Sequence, residues 1–269
     1  VKKLSARRRH PLAALVVLIF ALAVTGGLYA VLAPSGEAQA EETAQTLAIE
    51  EGKALYSVGC SSCHGNEGQG GTGGPSLVGV GAASVDFQVG TGRMPMAQPG
   101  PQAERKPTVY NQAEIDQLAA YIASLGPGPA VPESDAYDPA QGDPARGGEL
   151  FRTNCSQCHN YTGQGGALTH GKFAPNLADV NPRHLYEAML TGPQNMPSFP
   201  DGVLPEDAKR DIIAWLDATN TSESPNPGGL SLGGYGPVGE GFFAWTIGIG
   251  MLIAVAVWIA ARSAKAKKS

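Results

Sequence analysis

Cys60-Ser61-Ser62-Cys63-His64, repeated as Cys155-Ser156-Gln157-Cys158-His159, is the stretch from which the rest of the chain is read. C-x-x-C-H is the attachment pattern of c-type haem. Each thiol adds to one vinyl group of the porphyrin, and the adjacent histidine ligates the iron. The two copies use all four cysteines of the 269-residue chain. Zinc is the main competitor. A zinc ribbon sets its C-x-x-C pairs roughly 15–20 residues apart, whereas these begin 95 positions apart. Zinc also gives no reason for a histidine directly after each pair. A thioredoxin-like motif accounts for one C-x-x-C only, and two structural disulfides leave both histidines unexplained. Two fixed redox centres with no spare thiol describe an electron carrier.

Outward from the motifs, the sequence repeats. Gly52-Lys53-Ala54-Leu55-Tyr56 and Gly147-Gly148-Glu149-Leu150-Phe151 precede them at one offset of 95, which Gly68-Gln69-Gly70-Gly71 and Gly163-Gln164-Gly165-Gly166 share. Pro75-Ser76-Leu77 then matches Pro175-Asn176-Leu177, Thr91-Gly92 matches Thr191-Gly192, and Met94-Pro95 matches Met196-Pro197. Constant order with variable spacers indicates one domain duplicated, with insertions in loops. Each half reads as helix, haem motif, glycine-rich loop, methionine loop, helix. Leu47–Val58 is expected to open the first half. Asp116–Leu125 and Asp207–Ala218 are expected to close the two, with Leu118, Tyr121, Ile122 and Leu125 at helical spacing. No stretch alternates like a strand. The segment Gly126–Gly147, with Pro127, Pro129, Pro132, Pro139 and Pro144, reads as an extended, partly stiff connector rather than a packed element.

Charge is segregated. All 24 acidic residues lie between Glu37 and Glu240 with only ten basic ones, a local net charge of −14 that the overall −5 conceals. The other basic residues cluster at Lys2, Lys3, Arg7, Arg8 and Arg9 and at Arg262, Lys265, Lys267 and Lys268. Beside each cluster lies an uncharged apolar run, Leu12–Ala33 and Phe242–Ala261, and about 20 residues of helix span a bilayer's hydrocarbon core. Core helices are usually shorter and amphipathic. Phe242, Phe243 and Trp245 near one end and Trp258 near the other suit membrane interfaces. The first run reads as a retained anchor, with cleavage at Ala38-Gln39-Ala40 as the alternative, although signal cores are typically only about 7–15 residues. Basic flanks stay cytoplasmic. Both termini are therefore expected inside, and the acidic region outside, the plasma membrane.

The expected organisation is a basic tail at 1–11, an anchor or signal segment at 12–33 and a first haem domain at 45–126. A Pro-rich linker at 127–143 leads to a second haem domain at 144–219. A Gly/Pro linker at 220–240, a transmembrane helix at 241–261 and a basic tail at 262–269 complete it. Such small, glycine-rich halves have limited apolar cores, so a covalently held porphyrin supplies volume that the chain lacks.

His64 and His159 are the proximal iron ligands by motif, and methionine commonly takes the other face. In the first half the candidates are Met94 and Met96; Met94, in Gly92-Arg93-Met94-Pro95, is the better placed, and Met96 suits gap filling. In the second half Met196 repeats that pattern, Met189 falls in an apparent short helix, and His170 and His184 read as surface or structural. Methionine ligation raises the reduction potential and leaves no open position for peroxide or nitrite. Arg93 beside Met94 reads as pairing with a haem propionate or a partner, or as only a solvated charge.

Together these features resemble the dihaem cytochrome c subunit of the actinobacterial cytochrome bcc menaquinol reductase. The resemblance rests on the tandem C-x-x-C-H domains, the Met-Pro loops and the two terminal apolar runs. It implies an all-α fold of two tandem class I cytochrome c domains with N- and C-terminal transmembrane helices. It implies two covalently bound haem c groups, on Cys60 and Cys63 and on Cys155 and Cys158. Pro75 and Pro175 occupy the places whose carbonyls orient the ligating histidines, turn prolines being the plainer reading. The implied partners are a cytochrome b subunit, a Rieske iron–sulfur subunit and the copper-centre subunit of cytochrome c oxidase, with no nucleic acid. Within a quinol–cytochrome c reductase the chain itself is then an electron carrier. Three rivals remain: a membrane dihaem cytochrome serving another dehydrogenase or oxidase, a dihaem peroxidase needing a vacant iron site, and a non-redox binding module.

Overall fold

The computed structural model describes residues 11–32, 36–220 and 237–266. The tail expected at 1–11 (Pro11 apart), most of the 220–240 connector and the last three residues lie outside the described residues. The chain divides into two units, Val1–Ala48 and Ile49–Ser269.

In the first unit, helix α1 spans Pro11–Leu32, and its stretch Leu12–Leu32 is long and apolar enough to cross a membrane. In the second unit, α10 spans Pro237–Ala266 and contains a comparable stretch, Val238–Arg262. Neither stretch is buried by the rest of the protein. Helices apolar on every face have hydrocarbon as their natural solvent. Their few polar groups are internally satisfied: Thr25 Oγ1 donates to Ala21 O at 2.7 Å, and Thr246 Oγ1 to Phe242 O at 2.7 Å. The Arg262 guanidinium lies 4.5 Å over the Trp258 ring, an arrangement suited to a membrane interface.

Helix α2, Gly36–Gly59, begins in the first unit and ends in the second. It starts well before the expected Leu47, because Glu37-Ala38-Gln39-Ala40-Glu41-Glu42 are good helix formers without an apolar stripe. In the second unit it leads through the single turn α3 (Ser61–His64) to α4 (Ala82–Gly90) and α5 (Gln112–Ser124). The second half repeats the series as α6 (Pro144–Asn154), α7 (Ser156–His159), α8 (Pro182–Thr191) and α9 (Glu206–Asn220). Two-residue strands, β1 (Gly166–Ala167) and β2 (Phe173–Ala174), pair antiparallel; the sequence pattern was too short to mark them.

The opening and closing helices of each half cross where a glycine lets the backbones touch. A Cβ on Gly52 would collide with the Gln117 carbonyl, and one on Gly147 with the Asp211 carbonyl. One turn on, Tyr56 packs on Tyr121 with centroids 5.2 Å apart, and Phe151 packs on Trp215 at 4.6 Å. These pairs anchor two separate cores, one around Tyr56, Leu118 and Ile122, the other around Phe151, Ile212 and Ile213. Helix starts are set by side-chain caps. Asn111 and Glu114 form a reciprocal capping box on α5, and Asp143 with Pro144, and Asn181 with Pro182, start α6 and α8.

The connector between the halves is packed, contrary to its expected extension. Ala136 is 4% exposed inside the second core. Pro129 O accepts from Ala83 N at 3.1 Å at the start of α4, and Asp135 O accepts from Arg210 at 3.2 Å. Two 3₁₀ turns, Ser134–Ala136 and Pro139–Gln141, lie on the second half, and Pro139 starts the latter. The halves also meet directly, α4 against α8.

Candidate haem sites

Each motif is wound into one helical turn. Cys60 N donates to Tyr56 O at 2.9 Å and His64 N to Cys60 O at 3.0 Å; Cys155 N donates to Phe151 O at 2.8 Å and His159 N to Cys155 O at 3.0 Å. Residues three and four apart share a helix face, so both thiols and the histidine of a motif come together. All four thiols are free.

The glycine-rich loop then turns back under the histidine. Gly70 N donates to His64 O at 2.7 Å and Leu77 N to Gly68 O at 2.7 Å, matched by Gly165 N to His159 O at 2.9 Å and Leu177 N to Gly163 O at 2.8 Å. Gly70 and Gly165 sit at φ 84° and 82°. Any Cβ there would be strained and would press to 2.6 Å of Ser76 N or 2.5 Å of Ala174 O. This closeness delivers the two proline carbonyls: Pro75 O lies 2.8 Å from His64 Nδ1, and Pro175 O lies 3.1 Å from His159 Nδ1. With Nδ1–H donating to a carbonyl, Nε2 is the lone pair left for a metal.

The methionine loops follow α4 and α8. Thr91 and Thr191 each back-bond four residues upstream, at 2.6 and 2.7 Å, and the next residue, Gly92 or Gly192, is left-handed. Met94 packs against the first core and Met196 against the second. In the second half a cavity of about 280 Å³ is lined by Cys155, Cys158, His159 and Met196 together. Leu177, Leu185 and Phe199 are among its apolar walls.

The chemistry of this donor set fits a c-type haem: two thiols, an imidazole with Nε2 uncommitted and a thioether, around an apolar hollow. Burial holds His159 below the usual imidazole pKa, with the Pro175 hydrogen bond opposing, so it is neutral at pH 7, as a metal ligand must be. Burial, helped by the charge of Cys158, pushes the Cys155 thiol up to about 12, and burial raises Cys60 likewise.

Of the other candidates, Met189 and His184 also line this cavity, whereas Met96 and His170 are not among its lining residues. Met189 is 5% exposed in the second core, and Met96 is half-buried in its loop. His170 is exposed in a left-handed conformation, while His184 is half-buried at the α4–α8 contact. Arg93 lies over the Phe87 ring at 4.8 Å and lines the second-half cavity.

The polar cluster at that contact has little signature in the sequence. Asp86, on α4, meets Arg183 Nη2 at 2.9 Å, and Glu187 meets Arg183 Nε at 3.4 Å. His184 Nε2 is 3.9 Å from Asp86. Three potential metal ligands are present, but the guanidinium already supplies the cation. A lone acid in Ala82-Ala83-Ser84-Val85-Asp86-Phe87 was the available signal.

Comparison with known proteins adds the following. The cytochrome c family model matches residues 49–126, and the model for cytochrome c oxidase, cbb3-type, subunit III matches residues 142–216. The "Cytochrome bc1 complex cytochrome c subunit" of Corynebacterium efficiens is 46% identical over 97% of this chain and 94% of its own length. Its namesake from Mycobacterium bovis is 46% identical over 96% and 93%. A "Cbb3-type cytochrome c oxidase subunit FixP" from Bradyrhizobium diazoefficiens is 28% identical over 58% of this chain and 54% of its own length.

Proposed function

Because the chain belongs to the cytochrome c subunits of cytochrome bc1-type complexes, an electron-transfer family, we propose that it holds two covalently attached haem c groups and relays electrons from a Rieske iron–sulfur subunit to the copper-centre subunit of a cytochrome c oxidase. The observation that carries this is the duplicated site, in which each motif histidine is aimed by a proline carbonyl, at 2.8 Å for His64 and 3.1 Å for His159.

Bound haem supplies a one-electron iron couple at each site. The residues around it do the rest. Cys60 and Cys63, and Cys155 and Cys158, tether the macrocycle. His64 and His159 would ligate through Nε2, with Pro75 and Pro175 fixing the rings. Met94 and Met196 would supply a further ligand to each iron, a soft neutral sulfur that favours the reduced metal. Two protein ligands per iron would leave no position for a substrate, the arrangement of an electron carrier. Menaquinol oxidation belongs to a cytochrome b subunit of the same reductase.

The basic residues flanking both apolar runs support a plasma-membrane placement with both termini cytoplasmic and the haem domains outside. An acidic surface suits docking on basic partners. A second reading, a dihaem cytochrome serving another dehydrogenase or oxidase, is favoured by the cbb3-type match over 142–216.

Purification of the full chain from mildly solubilised membranes separates these readings. The expected result is recovery with cytochrome b, Rieske and oxidase subunits, and an intact mass two haem groups above the bare polypeptide. Recovery with a dehydrogenase and no cytochrome b overturns the partner assignment. A colourless chain of bare mass overturns the haem assignment.

A further inference from the structure

The cavity that gathers Cys155, Cys158, His159 and Met196 is not built by the second half alone. Phe87, Thr91, Arg93, Gln102 and Arg105 of the first half also line it. Two of these are arginines. Arg93 and Arg105 thus bring two positive charges to one hollow. Among the described residues neither arginine has a carboxylate within ion-pair distance, whereas Arg146, Arg183, Lys209 and Arg210 all do. Lys172, the second half's own lysine on this lining, is engaged by Asn195 Oδ1 at 2.7 Å. Two neighbouring cations facing an apolar hollow repel each other unless an anion joins them.

The segment that carries Arg105 is clamped in place. Gln102 Nε2 donates to Phe173 O at 2.8 Å and Gln102 Oε1 accepts from Phe173 N at 2.8 Å. Gln194 answers from the other side: its Oε1 accepts from Ala103 N at 3.0 Å and its Nε2 donates to Ala103 O at 3.1 Å. Each glutamine therefore reads both backbone groups of a residue in the opposite half. Gln194 does so at φ 59°, the left-handed region that non-glycine residues occupy at a cost. Adjacent Gln102 and Ala103 are pinned from two directions, which fixes the path of the chain two residues before Arg105.

We propose that Arg93 and Arg105 of the first domain hold the propionate carboxylates of the second domain's haem, so that this haem is bound by both domains and its electrostatic environment is set by the first. The inference rests on the haem reading above and extends it. Propionates are the anionic groups of haem, and arginine forks match carboxylates bidentately. Burying a carboxylate without such a partner is costly. Positive charge beside the propionates disfavours the more positive ferric state, so both arginines raise the potential of the second haem relative to an unpaired site.

The test is a redox titration of the detergent-purified full chain, with the two haems followed separately and Met196→His used to mark the second haem's spectrum. Intact mass is measured first. A parent chain lacking two haems sinks this inference together with the haem reading. With two haems present, Arg105→Gln and Arg93→Gln/Arg105→Gln are expected to lower the second haem's midpoint potential and leave the first haem's in place. Arg105→Lys should retain most of the parent value. Arg105 is exposed, so Arg105→Gln keeps the fold even if the double variant does not. A second-haem potential unchanged in Arg105→Gln, or a shift confined to the first haem, overturns the proposal while leaving the haem reading intact.

Discussion

Arg183 of the second haem domain lies 2.9 Å from Asp86 of the first, and it reaches Glu187 on its own helix at 3.4 Å. Both acids are buried, while Arg183 keeps 24% of its side chain exposed. Removing one partner of a buried pair leaves an uncompensated charge. Arg183→Met is therefore expected to destabilise the chain by about 3 kcal/mol. Denaturant unfolding of the purified chain measures this. Adding Asp86→Asn should recover part of the loss, because no unpaired carboxylate then remains; strictly additive losses would show that the two residues are not coupled.

Glu187 carries a pH dependence. Burial, and then the neighbouring Asp86, raise its pKa from 4.5 to about 9, with Arg183 pulling the other way. At neutral pH the folded chain thus keeps a proton on Glu187 that the unfolded chain has released. Asp86 Oδ2 and Glu187 Oε2 are buried without hydrogen-bond partners, which favours keeping Glu187 protonated. The sign follows from linkage: stabilisation from this proton is complete below pH 4.5 and is lost as pH rises towards about 9. His184, facing the same cluster, is held below the usual imidazole value chiefly by burial, so it adds an opposite dependence only on the acid side. Glu187→Gln should remove the decline in unfolding free energy between pH 6 and about 9. An unchanged slope would reject the buried proton.

How much of this could be read beforehand varies with the physics. The motif turns, glycine loops and terminal apolar helices were legible because their chemistry dictates residue identity: thiols for the tether, glycine for φ near 84° at Gly70, uncharged runs for hydrocarbon. The domain contact was not. At the offset that aligns Thr91 with Thr191, Asp86 falls opposite Tyr186 and Phe87 opposite Glu187, so the repeat hides the acid pair. The Gln102 and Gln194 clamps bond backbone, which has no sequence signature. Proline content suggested an extended connector, yet proline also suits 3₁₀ turns, and Ala136 found a core to join.

The methionines differ in what their loss does. Met196→Ala is expected to open a coordination position, so that the second haem binds cyanide or imidazole; Met94→Ala should do the same for the first. Met189→Ala removes a side chain 5% exposed in the core and should cost about 3 kcal/mol without opening either site. Optical ligand titrations check both statements. A Met189 variant that binds added ligand would reverse the assignment.

Gly52 and Gly147 are the points of closest approach between opening and closing helices. Alanine at either position drives a Cβ into a rigid helix carbonyl, of Gln117 or of Asp211. The helices must then separate, loosening Tyr56 on Tyr121 or Phe151 on Trp215. Each substitution is expected to destabilise by about 3 kcal/mol or more, despite alanine's better helix propensity. Gly26→Ala, in an open part of α1, is the control and should be neutral. A thermal midpoint unchanged in Gly147→Ala would mean that this crossing tolerates wider spacing.

Each haem domain has a small core, and the second, with a wall from the first, encloses a hollow of about 280 Å³ bounded by Phe151, Ile212 and Leu216. An apolar hollow of that size forfeits the packing contacts of every side chain around it, and protein interiors do not normally stay that open. The porphyrin is then a structural part of the core as well as its redox centre. Cys155→Ser/Cys158→Ser, and Cys60→Ser/Cys63→Ser in the first domain, should leave the affected half without stable tertiary packing. Circular dichroism should show lost helical signal, and proteolysis should cut within the affected half while sparing the other. Cleavage confined to one half would also show that the α4–α8 contact cannot by itself hold an unfilled domain folded. A haem-free half with native helix content and full protease resistance would contradict the dependence, since its side chains would have to fill that space unaided.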